Sequence, residues 1–401
     1  MKVKTYKFFE DLDIILIIDC MLAKRDRVKR ALLRKSTDRF PLFMSATPQF
    51  WKKWLNLPAN ATEIPIDLVF QKLVATNFDV IQVGHPAFYP VRVLELPEGA
   101  KYEDAWHRTH IISSFYDNFT SPFPLQPTTK MDLAAIRAAW KTYSFPDLTS
   151  ATWFNALDRV VNLNKNLEDP LSVWGVINGP FEPTWQLLSD GWPAFFVLYR
   201  RDPMLAKEIL AKVTDVCIAA GQAMIRHGVE AIRIGDDYAL NEGPMCSPQT
   251  WHDVIYPEHK RLVAGLKAIG GQDFPVILHS DGNIMPLLDW LGTGGLDAIN
   301  PIQPDALDFA QVTEKIGSKL SLTAAFDLRY FLKEFSPELR DQMRAEIIRL
   351  FEIIHKYNST NSIQEQTNFC IGPTHQVQPG SFVESYDAWI DLVHELNSNS
   401  H

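Results

Sequence analysis

The sequence predicts an α/β fold built as a single (β/α)8 TIM barrel, on three observations. Short apolar segments ending in polar residues recur along the chain, and eight of them can be counted. Stretches with helical periodicity separate most of them, the pattern of a parallel sheet wound with helices. Eight is also the strand number that closes such a sheet, and 401 residues accommodate one barrel with insertions.

The candidate strands run over 40–45, 78–84, 171–178, 231–237, 275–279, 298–301, 320–327 and 368–372. Amphipathic segments at 202–227, 248–269, 284–290 and 337–356 have the length of crossover helices. Between the second and third strands lie about 85 residues rich in proline and aromatics, too many for an ordinary connection. They predict an insertion with its own helices, set over the barrel mouth. The glycines from Gly292 to Gly295 lack the strand-to-helix spacing of a dinucleotide loop and read as a helix stop.

Residues 25–396 are assigned to the barrel and 1–24 to an N-terminal extension. The apolar run 14–18 is too short to span a bilayer, and Glu10, Asp11 and Asp13 precede it where a signal peptide would be basic. It is expected to pack on the barrel or on a second copy of the chain, so a homodimer is a candidate assembly.

A composition 46% hydrophobic and 22% charged supports a large core without staples. The net charge of -9 opposes nucleic acid and anionic membranes as partners. Cys20, Cys217, Cys246 and Cys370 show no CxxC spacing, so neither a disulfide framework nor a thiolate zinc knuckle is expected, and a cytoplasmic location is the default.

Strand alternation sorts the side chains, because the outer face of such a sheet meets apolar helices and tolerates charge poorly. Arg233 must then point inward, and Gly235 and Asp237 with it. Ile277, His279 and Asp281 share a face, as do Ser321, Thr323, Ala325 and Asp327, and Ser172 with Asn178. The strand ends thus offer Asn178, Asp237, His279, Asp281, Asn300, Asp327 and His375 to one rim, the convergence a barrel active site requires.

These segments resemble the uroporphyrinogen decarboxylase-like superfamily from about Arg25 to Glu395. Arg25-Asp-Arg-Val-Lys-Arg-Ala-Leu-Leu33 with Thr37-Asp-Arg-Phe-Pro-Leu42 is similar to the opening helix and strand of that family. Gly235-Asp-Asp-Tyr238 with Cys246-Ser-Pro248, His279-Ser-Asp-Gly-Asn-Ile284, and Gly372-Pro-Thr-His375 with Pro379 and Glu384 resemble its later motifs. The resemblance implies either decarboxylation of uroporphyrinogen or methyl transfer to or from corrinoid proteins or thiols.

The decarboxylases carry an Arg-Gln-Ala-Gly-Arg run after the first strand, where two arginines meet a substrate bearing eight carboxylates. Here that region reads Met44-Ser-Ala-Thr-Pro-Gln-Phe-Trp-Lys-Lys-Trp54. Lys52 and Lys53 offer point charges for carboxylates, whereas Phe50, Trp51 and Trp54 point to an aromatic or apolar ligand. The thiol methyltransferases hold zinc with a His-x-Cys motif and a later Cys, and the matching positions here are His279, Asp281 and His375. That set suits zinc or another divalent metal and, lacking thiolates, suits Lewis-acid activation of an oxygen. The aryl methyl ether demethylases that feed a corrinoid protein resemble the chain more closely, with Glu242 preferred over Glu258 as a further carboxylate.

The leading expectation is therefore a corrinoid-dependent methyltransferase acting on a small methylated aromatic ether or amine, with a corrinoid carried by a partner protein. The site residues expected are Asp237, His279 and Asp327 for catalysis, and Trp51, Trp54, Asn178, Tyr238 and Asn300 for substrate. His279, His375, Glu242 and Asp281 are expected to hold the metal. A decarboxylase of a tetrapyrrole or aromatic acid, with Asp79 as its acid, is the alternative, and a non-catalytic binding protein on the same scaffold is a third reading. Asp236 reads as structural, Asp327 equally as a backbone acceptor, and Asn178 and Asn300 equally as turn residues. His85, His107, His110, His252, His259 and His355 are expected in surface or core roles.

Overall fold

The computed structural model describes residues 22–89, 93–113, 117–126, 131–189, 191–361 and 368–398. The run 14–18, Cys20 and nearly all of the expected N-terminal extension lie outside the described residues. Seven parallel strands form one curled sheet whose order follows the chain: β1 (Val80–Gly84), β2 (Ser172–Asn178), β3 (Ala231–Gly235), β4 (Val276–His279), β5 (Ala298–Asn300), β6 (Ser321–Thr323) and β7 (Phe369–Cys370).

The first expected strand is present as an extended segment rather than a ladder. Leu42 and Ala46 bridge in parallel to Ile371 and Val377. Phe43 N–H donates to the Ile371 carbonyl at 3.1 Å, and on the other edge Asp79 N–H donates to the Leu42 carbonyl at 3.0 Å. Pro41, which lacks an N–H, limits the ladder this segment can make. The segment touches both edges of the sheet, an arrangement consistent with a TIM-like barrel.

Strand pleating divides the core as alternation predicts. Val80, Trp174, Ala231, Ile277, Ala298, Ala324 and Cys370 meet inside the curl with Phe43, and Val28, Ala31 and Leu32 of helix α1 (Lys24–Leu32) join them. Their neighbours Ile81, Val173, Ile232, Leu278, Ile299, Leu322 and Phe369 face the surrounding helices. Trp174 packs against Phe43 with ring centroids 5.2 Å apart. The alternation fails once. Ala324 adopts φ +58°, and the resulting turn of the backbone sends Ala325, expected inside with Thr323, to the outer core.

Below this inner core the buried carboxylate of Asp79 starts β1. It accepts from Arg27 Nη1 at 2.8 Å, from Arg39 Nη1 and Nη2 at 2.8 and 2.7 Å, and from Leu42 N–H at 2.8 Å. Asp79 therefore ties α1 and the extended segment to the sheet, and its lone pairs are occupied. This corrects its reading as a decarboxylation acid.

The helices follow the expected segments with one break. Asp202 caps Pro203–Arg226 by accepting from Leu205 N–H at 3.2 Å, and Ser336 caps Pro337–Thr360 from Leu339 N–H at 3.1 Å. The segment expected as one helix over 248–269 splits into Pro248–Val254 and Tyr256–Gly270, because Pro257 is tolerated only in a first turn. Helix Leu288–Leu291 stops at Gly292, with Gly295 in the left-handed region at φ +91°.

The insertion between β1 and β2 holds helices Leu133–Thr142 and Asn155–Asn164, and also a three-stranded antiparallel sheet of Lys101–Glu103, Thr109–Ile112 and Asp117–Thr120, which was not expected. In the turn between the first two of these strands, buried Arg108 bonds Asp104 Oδ2 at 2.7 Å and the side chain of Gln186, and Trp106 Nε1 donates to the Ala87 carbonyl at 3.0 Å. Ala87 and Gln186 follow the carboxyl ends of β1 and β2, so the insertion is anchored on the same side as the strand-end polar residues. Among the described residues no helix is long and apolar enough to cross a membrane.

Candidate metal and substrate site at the strand ends

β4 ends at His279, and the next residues turn sharply through Gly282 at φ +81°. The turn is held by Asp281 N–H donating to Asp237 Oδ1 at 3.0 Å and by Gly282 N–H donating to Gln303 Oε1 at 2.9 Å. A Cβ at Gly282 would lie 2.7 Å from the Ala239 carbonyl and the Leu240 oxygen. Gly282→Ala is expected to destabilise the fold by at least about 1–2 kcal/mol from backbone strain alone and to displace Asp281. Urea denaturation with wild-type stability would remove this account of the turn.

His375 arrives from beyond β7, where Thr374 N–H donates to the Phe326 carbonyl at 2.9 Å. His279 Nε2 and His375 Nε2 lie 4.0 and 3.7 Å from Asp281 Oδ2. One ligand atom from each of the three residues falls within 4.8 Å of the others.

A chain of hydrogen bonds sets the state of His279. The Thr323 hydroxyl donates to the Ile299 carbonyl at 3.0 Å, so its oxygen accepts Asn300 Nδ2 at 2.9 Å. Asn300 Oδ1 then faces His279 Nδ1 at 2.6 Å, which must carry the proton. The Nε2 lone pair is left free toward Asp281, the arrangement metal-bound histidines use. His375 is set differently. Gln378 Nε2 donates to the Gln376 carbonyl at 2.8 Å and points at His375 Nδ1 at 3.4 Å, so ligation through His375 Nε2 requires giving up that long contact.

Two imidazoles and a carboxylate are a competent donor set for zinc or a related ion. Donors around a tetrahedral zinc with bonds of about 2.0–2.1 Å lie about 3.3 Å apart, so from 3.7 and 4.0 Å the two histidines would close on Asp281 by about 0.4 and 0.7 Å, and the pair of imidazoles, within 4.8 Å, by at most about 1.5 Å. Burial, Asp281 and His279 set the local electrostatics. Burial holds the His375 imidazolium below its ordinary range, opposed by Asp281 and reinforced by His279 and Arg233. Burial likewise pushes the Asp237 carboxyl up, while His279 pulls it down and Asp281 pushes it further up.

A cavity of about 380 Å³ opens at the same end, lined by Trp51, Gln82, Tyr89, Val176, Arg233 and Gln376 among others. Arg233 joins it to the triad, with Nη1 3.3 Å from both His279 Nδ1 and Asn300 Oδ1.

Residues 138–396 match the sequence profile of the family described as uroporphyrinogen decarboxylase (URO-D). The chain belongs to that family. A uroporphyrinogen decarboxylase of Ruthia magnifica subsp. Calyptogena magnifica is 23% identical over 245 residues, covering 60% of this chain and 65% of the relative. The chain thus spans just under two thirds of that relative's length. A uroporphyrinogen decarboxylase of Psychromonas ingrahamii is 22% identical over 395 residues, 94% of this chain and 99% of that one. Among solved structures, a methyltransferase from Methanosarcina mazei superposes with a TM-score of 0.69 at 13% identity, covering 93% of this chain and 99% of the other. At that identity the likeness speaks for the fold.

Within this URO-D chain the expected residues part company. His279, Asp281 and His375 come together, Asn300 and Asp237 hold two of them in place, and Trp51 lines the cavity. Asn178 is 4% exposed, with an Oδ1 that has no partner.

The others are corrected. Trp54 is packed among Phe50, Phe78 and Tyr386, and its Nε1 donates to Asp387 Oδ1 at 2.7 Å. Tyr238 is buried on the outer side, donating to Asp236 Oδ2 at 2.8 Å and meeting His259 Nδ1 at 3.1 Å. Glu242 is exposed in the hairpin of Ala239–Leu240 and Gly243–Pro244, outside the triad, and Glu258 pairs with Arg261 at 2.7 Å. Asp327 caps the turn Leu328–Leu332 and is held by Arg329.

Asp236, read as structural, accepts Glu182 N–H at 2.7 Å, Phe181 N–H at 3.2 Å and the Tyr238 hydroxyl, and burial pushes it up to about 7. The residues missed were Gln82, Tyr89 and Gln376, and the role of Arg233. Only Arg233 carried a sequence signal, being a charge on an otherwise apolar strand.

Proposed function

We propose that the chain is a methyltransferase that binds a small methylated aromatic ether or amine in the 380 Å³ cavity and passes the methyl group to a corrinoid carried by a partner protein. The observation that carries this reading is the convergence of His279, Asp281 and His375 at the strand ends of a URO-D-family sheet. These three residues would hold a divalent metal, whose chemistry there is to draw electron density from the leaving oxygen or nitrogen.

The chain's own groups do the rest. Asn300 and Thr323 keep the His279 Nε2 lone pair available, Asp237 fixes the Asp281 peptide, and Trp51 offers an aromatic face to the ligand. The methyl group leaves without its bonding electrons, which stay on the substrate heteroatom; the electron pair for the new bond comes from the reduced corrinoid. An oxygen so released needs a proton, and Asp237, its carboxyl raised by burial, is the donor we assign.

Decarboxylation of a tetrapyrrole fits the cavity less well. Among the described residues Arg233 is its single cationic lining group, against eight carboxylates on uroporphyrinogen, and Asp79 is consumed in its ion pairs. Incubation with free reduced cobalamin and a panel of aryl methyl ethers and methylamines tests the proposal. Demethylated product with matching methylation of cobalamin is expected. Loss of carbon dioxide from uroporphyrinogen, with no methyl transfer across the panel, would overturn it.

A further inference from the structure

We propose that Arg233 anchors a carboxylate of the substrate, so that the ligand of the mouth cavity is a compact aromatic acid. The choice of reaction rests on the methyl-transfer reading above, whereas the binding claim stands on Arg233 itself.

Three buried or half-buried arginines invite comparison. Arg27 holds Asp38 at 2.6 Å and Asp79 at 2.8 Å, and Arg108 holds Asp104 at 2.7 Å. Arg233 has no such partner. Among the described residues no carboxylate comes within 4.0 Å of its guanidinium. Its one hydrogen bond, from Nη1 to Asn300 Oδ1, is long at 3.3 Å; the protonated His279 Nδ1 lies at the same distance and cannot accept, and the buried Nε of Arg233 is without a partner. An arginine stays charged in any protein environment, and a charge withdrawn from water needs a counter-charge and bonds for its donors. Asp237 and Asp281 attract it from farther off and do not satisfy those donors.

The cavity supplies the place for the missing anion. Arg233 is on its wall, with Trp51 and Val176 providing apolar surface and Tyr89 beside it. Gly235 makes that placement feasible, since a Cβ there would sit 2.7 Å from the Tyr89 hydroxyl. Lys52 and Lys53, the first cations to follow the first strand, are engaged elsewhere. Their Nζ atoms donate to the carbonyls of Ala59 and Ala61 and of Pro379. The ligand that completes these features carries a planar anion that the guanidinium fork can take up by two parallel hydrogen bonds. Gln82 Oε1 and Asn178 Oδ1, both buried and unpartnered, add a call for a hydrogen-bond donor elsewhere on the ligand.

Calorimetry of the purified full chain with 4-methoxybenzoate and with 4-methoxybenzamide, its neutral match in size, tests the anchor. Wild type is expected to prefer the acid by about tenfold or more, the range of a charge-assisted bidentate contact. Arg233→Gln, with its fold checked by circular dichroism and Arg233→Lys as a charge-keeping companion, is expected to lose that preference; the lysine variant should keep part of it.

Equal binding of acid and amide by wild type, or an acid preference that survives in folded Arg233→Gln, overturns the proposal. A crystal structure of wild type with 4-methoxybenzoate decides without any variant: the carboxylate on the guanidinium supports it, and on the His279–Asp281–His375 triad or the exposed lysines overturns it. Phenol release scored in parallel keeps the two readings apart. Acid preference without transfer upholds the anchor and removes the methyltransferase, whereas transfer without preference does the reverse.

Discussion

Replacement of His279 by alanine is expected to cost methyl transfer a thousandfold or more while leaving the sheet folded. Lewis-acid polarisation by a bound metal contributes several kcal/mol, and three decades of rate correspond to about 4 kcal/mol. His279 is the best preset of the three donors, because Thr323 and Asn300 leave its Nε2 lone pair free toward Asp281. A merely structural histidine gives a different signature. Its loss would leave Asn300 Oδ1 with only the long 3.3 Å contact from Arg233 and lower stability by about 1–3 kcal/mol at most, with little change in the rate of folded enzyme. Turnover and chemical denaturation measured on the same preparation separate the two.

Asp79→Ala should produce the largest loss of stability, about 3–5 kcal/mol, the range for breaking a buried ion pair from one side. The variant leaves the buried Arg27 with Asp38 alone and its Nη1 unpaired, takes the carboxylate from Arg39, and removes the acceptor for Leu42 N–H. Both the seat of α1 under the inner core and the attachment of the extended segment beside β1 would loosen. Urea denaturation checks this, and a loss below about 1 kcal/mol, the level of an exposed salt bridge, would contradict the network described.

These outcomes mark what the sequence made legible. Polar residues that end apolar strands announce themselves, so His279, Asp281, Asn300 and His375 were readable as a rim before any coordinates. Period-2 reasoning also gave the inner and outer sides of β2, β3 and β4. It failed at Ala324, where an L-residue takes a left-handed φ of 58° that no composition signal marks.

Tyr238 was misread against the same rule. With Asp237 turned inward, its neighbour had to face the helices, and it does, toward Asp236 and His259. Trp51 and Trp54 lie three apart on one helix, and nothing in the sequence says that Phe78 and Tyr386 would enclose the second and not the first. Glu242 shows a related limit: a carboxylate after a strand is visible, but the hairpin that turns it to solvent depends on the pairing of Ala239 with Pro244. The three-stranded sheet in the insertion escaped because strands of three and four residues carry too few alternations to be counted.

The metal is the claim on which the rest depends, and elemental analysis of protein purified without chelators tests it most directly. Wild type is expected to carry, or to take up, stoichiometric zinc or another divalent ion. His279→Ala and His375→Ala should each lose it while remaining folded, and Asp281→Cys should shift the preference toward zinc, since thiolate is the softer ligand. A wild-type protein that is metal-free and unable to bind added zinc would contradict the account.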